Sequence, residues 1–127
     1  MEPIDPRILL AITWIALMLI FLLGDVLRIF AGHFTPGEMA GQKIKPGMML
    51  GISVLMLLPI MMVLLSVILP QEANRWTNIV LAGLWFLFNA IGIPSYEGAY
   101  DKFLLAVSLL VNVLTAWIAW NWGLMPA

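Results

Sequence analysis

An all-α integral membrane bundle of four transmembrane helices, running up-down-up-down in one domain, is the fold this sequence predicts. Three observations predict it. The 127 residues are 63% hydrophobic and 10% charged, more apolar matter than so small a fold can hide from water. Four segments approach the roughly 20 apolar residues that cross a bilayer core of about 30 Å. The connections after the second and third segments are a few residues long, which makes consecutive helices antiparallel neighbours.

The first helix is expected over residues 6–31. Asp5 suits the N-cap, Pro6 the first helical position and Gly32 the stop. The leader carries Glu2 and Asp5 and only Arg7 as a base, and the apolar run from Ile8 to Leu23 is long for a signal-peptide core. A retained helix is therefore expected. The second helix is expected over 46–69, between Pro46 and Pro70, with Pro59 as an internal kink. The third covers 73–91, capped by Asn74 and stopped at Gly92 and Pro94. The fourth covers about 96–122, with Glu97 and Asp101 in its first turn, where the helix dipole favours acids. The loop from Gly32 to Lys45 holds most of the polar residues and the turn pair Pro36-Gly37.

With four crossings, both termini share the side of the second loop, beside Arg7 and Arg75. Arg28, Lys43, Lys45 and Lys102 lie on the opposite side, so the positive-inside rule places the termini outside. Trp76, Trp120, Trp122, Tyr96 and Tyr100 fall at belt positions near helix ends. Trp14, Trp85 and Trp117 lie deeper and are expected to pack.

Composition excludes several functions. A net charge of -1 argues against nucleic-acid binding. The absence of cysteine and the single histidine, His33, leave no thiol chemistry and no all-protein zinc or haem site. No nucleophile–base pair or phosphate cradle is visible. The expectation is a non-enzyme without a cofactor.

Candidate site residues remain. Asp25 and Arg28 share a face at the end of the first helix. They read as a functional ion pair or, preferably, as an interfacial salt bridge. On the fourth helix, Asp101, Ser108, Asn112, Thr115 and Ala119 form one narrow stripe at about 100° per residue. The third helix has its counterpart in Arg75, Asn78, Ala82 and Asn89. Two such stripes avoid lipid. They line either a small polar cavity for a ligand or ion, or interhelical hydrogen bonds, the commoner use. Arg75 is expected to hold a lipid phosphate or Glu72. The methionines of the second helix (Met48, Met49, Met56, Met61 and Met62) read as flexible packing rather than a copper path. Gly47-x-x-x-Gly51 permits a close helix approach. His33 reads as a solvated loop residue.

Several motifs carry a resemblance. Gly24-Asp25-Val26-Leu27 is followed by Pro36-Gly37. The run Leu58-Pro59-Ile60-Met61-Met62-Val63-Leu64-Leu65-Ser66 is followed by Asn74-Arg75-Trp76-Thr77-Asn78-Ile79. The chain thereby resembles an uncharacterised family of small bacterial four-helix membrane proteins, with Pro-Ile-x-Met-x-x-Leu-Ser and Asn-Arg-Trp-x-Asn motifs. Many members carry an acid where this chain has Leu58. The resemblance implies a four-helix fold in a bacterial cell (inner) membrane and brings no activity. The expected function is that of a non-enzymatic accessory, structural or ligand-binding membrane protein. Its expected partners are lipid and a homodimer mate or a larger membrane complex. The alternative is a small dimeric transporter or channel with a polar pathway between helices three and four. A quinone-linked membrane enzyme ranks last, because its metal ligands are missing.

Overall fold

The computed structural model describes residues 4–39 and 41–122. Its chain runs α1 (Pro6–Phe30), a hairpin of β1 (Glu38–Met39) and β2 (Gln42–Lys43), α2 (Pro46–Ile68), α3 (Gln71–Gly92), a 3-10 turn (Ile93–Ser95) and α4 (Ala99–Trp122). Each of the four helices is long and apolar enough to cross a membrane.

Local chemistry sets the ends. Asp5 caps α1, its side chain accepting from the Arg7 amide at 2.9 Å, with Pro6 opening the helix. At the other end Gly32 takes φ +76°, and the His33 amide reaches back to the Arg28 carbonyl at 3.0 Å, a glycine stop that satisfies an otherwise free carbonyl. In the first loop, the hairpin pairs Glu38 with Lys43 and Met39 with Gln42. It is an element the composition of the loop does not announce.

Two expected ends move. The third helix begins at Gln71 with Pro70 as its N-cap, so Asn74 is not a cap but an interior residue. Proline fits a helix start because its missing N–H costs nothing there. The fourth helix begins at Ala99, which leaves Glu97 before it. Asp101 does lie in the first turn.

The helices alternate in direction. The start of α1 meets the end of α4 through Leu10, Ala119 and Trp122, and Gln71 at the start of α3 reaches the Trp122 carbonyl at 3.4 Å. Extensive packing joins α3 to α4, α4 to α1, and α1 to α2, but α2 and α3 touch far less. Their short connection holds them together only near the turn. Pro59, Met62 and Ser66 are the buried residues of α2, one narrow line with little to offer a second neighbour. Trp14 and Leu17 of α1, Met62 of α2, and Ala82 and Trp85 of α3 form the main apolar cluster.

Outside and inside are reversed relative to a water-soluble bundle. Large apolar side chains such as Leu19, Leu50, Ile68, Leu87 and Leu110 cover the exterior, while Ser66, Asn74, Asn78, Asn89, Ser108, Asn112 and Thr115 are buried. In hydrocarbon, polar groups turn inward to find partners.

Three packing expectations need correction. Trp117 is 63% exposed, because it lies two residues and about 200° around α4 from the buried Thr115. Gly47 and Gly51 face open space, so they mediate no helix approach within the chain. Met48, Met49 and Met61 are exposed; Met62 and Met56 are the two methionines of α2 that join the main cluster.

Candidate functional site

The polar interior divides into three places. The first lies where α2 ends and α3 begins. Asn78 is its hub. Its Oδ1 accepts from the Trp14 indole N–H at 2.6 Å and from the Ser66 hydroxyl at 3.3 Å. Its Nδ2 donates to the Asn74 carbonyl at 2.9 Å and to Asn74 Oδ1 at 2.7 Å. Asn74 Nδ2 then donates to the Ser66 carbonyl at 2.6 Å and the Leu69 carbonyl at 3.3 Å. Three helices are joined this way, and the buried amides are fully used. Helical spacing is the local reason: Asn74 and Asn78 are four residues apart on one face of α3, and Ser66 continues the buried line of α2. Ser66, Asn74 and Trp14 were not candidates in the sequence. The shared face of Asn74 and Asn78 was the available signal, but no local pattern pairs either with Trp14.

Arg75 closes the same end differently. Its Nε donates to the Ala119 carbonyl at 3.0 Å and its Nη2 to the Trp120 carbonyl at 3.2 Å. These are carbonyls of the last described turn of α4, toward the negative end of its dipole. The guanidinium also lies 5.3 Å from the Trp76 ring and 5.4 Å from the Trp120 ring. Glu72 stands 3.8 Å away. The expected contact with Glu72 is thus present. Two of the five guanidinium N–H groups are used on α4.

The second place is the opposite end, where α1 finishes and α4 starts. Arg28 pairs with Asp25 on its own helix and stands 3.9 Å from Asp101 across the bundle. Asp101 is 4% exposed and lies against α1 at Gly24, where a Cβ would make ordinary contact with its Oδ1 at 3.5 Å. Arg28 also covers the Tyr96 ring at 5.3 Å. His33 is not simply solvated. Its Nδ1 hydrogen-bonds the Tyr100 hydroxyl at 2.7 Å, the two rings stack, and its Nε2 is 3.9 Å from Glu97. The first loop is tied to the start of α4 by these contacts. Asp25, Arg28 and Asp101 therefore form one cluster, which the spacing of Asp25 and Arg28 alone did not show.

The third place is the midline of α3 and α4. Among the described residues, the buried side-chain nitrogen and oxygen atoms without a hydrogen-bond partner are Nδ2 of Asn89 and both amide atoms of Asn112. The hydroxyls nearby are satisfied by their own helix: Ser108 donates to the Leu105 carbonyl at 2.5 Å and Thr115 to the Val111 carbonyl at 2.9 Å. Among the described residues, Arg75 on the Ala119 carbonyl is the one side-chain hydrogen bond that joins the α3 stripe to the α4 stripe. The antiparallel pairing of Arg75 with Ala119 puts Asn112 level with Ala82, and Asn89 level with Leu105. The two amides thus lie about two turns apart along the bundle and do not meet.

Asn89 lines a groove of about 300 Å³, together with Phe88, Ile91, Gly92, Ser95, Tyr96 and Leu105. The groove opens at the junction of α3, the 3-10 turn and α4, beside the Arg28–Tyr96 contact. It does not reach Asn112. Its walls are mostly apolar, with the Asn89 amide among them. No group of His, Cys, Asp or Glu among the described residues is arranged to hold a metal ion.

A family model described as Family of unknown function (DUF6326) matches residues 4–123. That span is nearly the whole chain, so the protein belongs to this family. No curated protein and no solved structure matches the chain.

Proposed function

We propose that this family member is a multi-pass integral protein of a bacterial cell membrane that binds an amphipathic small molecule between α3 and α4 and performs no chemistry on it. Four spanning-length helices with polar interiors and apolar exteriors support the membrane reading. Arg28, Lys43, Lys45 and Lys102 on one side, against Arg7 and Arg75 on the other, support a cytoplasmic first loop and termini outside by the positive-inside rule.

One observation carries the binding reading. Asn89 is 4% exposed, its amide N–H lacks a partner, and it faces a groove. A buried amide without a partner costs about 1–3 kcal/mol, a cost that Asn112 shares and that the hydroxyls of Ser108 and Thr115 avoid. A ligand in the groove that hydrogen-bonds the Asn89 amide would offset it. Native mass spectrometry of protein extracted gently from host membranes tests the reading. A small-molecule adduct on the wild type that is lost in Asn89→Leu is the expected result. Bare protein in both sinks it, and a heteromeric mass without an adduct points instead to an accessory subunit.

The transporter reading has one observation of its own. The α4 stripe is buried from Asp101 to Ala119, with Asn112 unpartnered midway. Proteoliposome flux that falls in Asn112→Leu while the fold persists would favour it.

A further inference from the structure

We infer that Glu97, His33 and Tyr100 form a proton relay from the water on the first-loop side to the buried carboxylate of Asp101, which makes Asp101 a proton-exchange site. The relay shares no residue with the Asn89 groove and does not depend on the binding reading. Three observations carry it.

The buried acid is the first. Asp101 is 4% exposed. An ionisable group so buried on a spanning helix marks a functional site by default, and membrane proton relays are built from such acids and histidine. Both forms of Asp101 have a place. Arg28 Nε stands 3.9 Å away as a counter-charge for the ionised form, while the Nη2 of the same guanidinium is held by Asp25. Burial against Gly24 of α1 suits the neutral form.

The order of contacts is the second. His33 Nδ1 lies 2.7 Å from the Tyr100 hydroxyl, with the two rings stacked. The Tyr100 hydroxyl and the Asp101 carboxylate are neighbours at the start of α4 and act on each other as donor and acceptor. On the other side of the imidazole, Nε2 is 3.9 Å from Glu97. Side-chain exposure falls along this path, from 81% at Glu97 through 33% at His33 to 6% at Asp101. Stacking alone would tie the loop to α4; it needs neither a hydroxyl at Nδ1 nor a carboxylate at Nε2.

Proton chemistry is the third. An imidazole takes up a proton at one ring nitrogen and gives one up at the other. With Nδ1 protonated, His33 donates to the Tyr100 oxygen and leaves Nε2 open toward Glu97. A proton from water, gathered at Glu97, binds Nε2. The Nδ1 proton then passes to the Tyr100 oxygen as the Tyr100 O–H proton passes to Asp101. His33 and Tyr100 end neutral, and Asp101 ends as the carboxylic acid. Release runs the same path in reverse and restores the starting tautomer.

Asp25 and Arg28 of α1, His33 of the first loop and Tyr100 of α4 all act on Asp101. Tyr96, just past the 3-10 turn, lies under Arg28. Glu38, Lys43 and Lys45 of the first loop and Lys102 of α4 are on the same side. The relay follows from the sequence of contacts and not from the net charge of this end.

The test is time-resolved infrared spectroscopy of the purified full chain in lipid, after a photolytic drop from about pH 8 to about pH 5. Wild type is expected to gain the carbonyl stretch of a protonated carboxylic acid. Isotopic labelling of its aspartates, Asp5, Asp25 and Asp101, should shift that band, and Asp101→Asn should remove it. Labelling uses the wild type and does not depend on a variant folding. Absence of the band, no shift on aspartate labelling, or its persistence in Asp101→Asn overturns the site. Tyr100→Phe, which keeps the ring, and His33→Ala are expected to reach the same final band at least about tenfold more slowly. Imidazole in the buffer should restore the rate of His33→Ala. Loading of both variants at the wild-type rate overturns the relay. Slow loading of His33→Ala that imidazole leaves unchanged assigns His33 to tying the loop and removes it from the relay.

Discussion

Where α2 hands over to α3, Asn78 makes four hydrogen bonds to Trp14, Ser66 and Asn74. About three turns further along the same face of α3, Asn89 leaves its amide N–H unpaired beside a groove. The residue type, helix face and burial are the same. What differs is the neighbour. At Asn78, α1 and α2 both come close and bring an indole and a hydroxyl. At Asn89, α2 has diverged, and α4 offers Leu105. An amide on a membrane helix is therefore a fastening where three helices meet and is left unpaired where two helices part.

Substitutions can sharpen or break this contrast. The largest effect is expected for Asn78→Leu, which strands the Trp14 indole, the Ser66 hydroxyl and Asn74 Oδ1 at once. Stability should fall by about 3 kcal/mol, with unpaired groups costing 1–3 each but membrane hydrogen bonds often worth less. Denaturant titration in mixed micelles measures it. A loss below about 0.5 kcal/mol would break the claim that this end fastens the bundle.

Asn112→Leu should act in the opposite direction. Neither amide atom has a partner, so replacing it with a similar apolar volume should raise stability by about 1 kcal/mol. A lower melting temperature would show that the amide is paired in the folded protein. Arg75→Met comes next. It removes the guanidinium from the last carbonyls of α4, and a cost of about 0.5–1 kcal/mol is expected from the helix-end charge interaction. Amide exchange should rise in the last turn of α4 and not in its middle; uniform protection would contradict the capping role.

Asn89→Leu should change stability least, by no more than about 0.5 kcal/mol in lipid-free detergent, since no protein group depends on it. If instead Asn89→Leu destabilised the lipid-free protein as Asn78→Leu does, the contrast between the two ends would collapse.

Much of the fold was legible beforehand for physical reasons. Apolar length, Asp5 and Pro6, Gly32 and the flanking prolines act within a few residues, so the four helices and most of their ends follow from local sequence. The α4 stripe was equally legible, because helical periodicity alone brings Asp101, Ser108, Asn112 and Thr115 to one face. Misread positions needed a partner from elsewhere. Asn74 has the chemistry of a cap, but Pro70 starts the helix, and the Ser66 carbonyl takes the amide instead. Trp117 is apolar enough to pack, but its side of α4 has no neighbour. His33 sits in a loop, and only the return of α4 places Tyr100 beside it.

The sequence by itself determined that this is a four-helix chain with apolar outer faces and polar inner stripes, since both properties follow from composition and the 3.6-residue period. Tertiary structure decided which stripe residues meet. The angle at which α2 leaves α3 and the register of α3 on α4 are set by packing over their full lengths. They pair Asn78 with Trp14, give Arg75 to the end of α4, and leave Asn89 facing a groove.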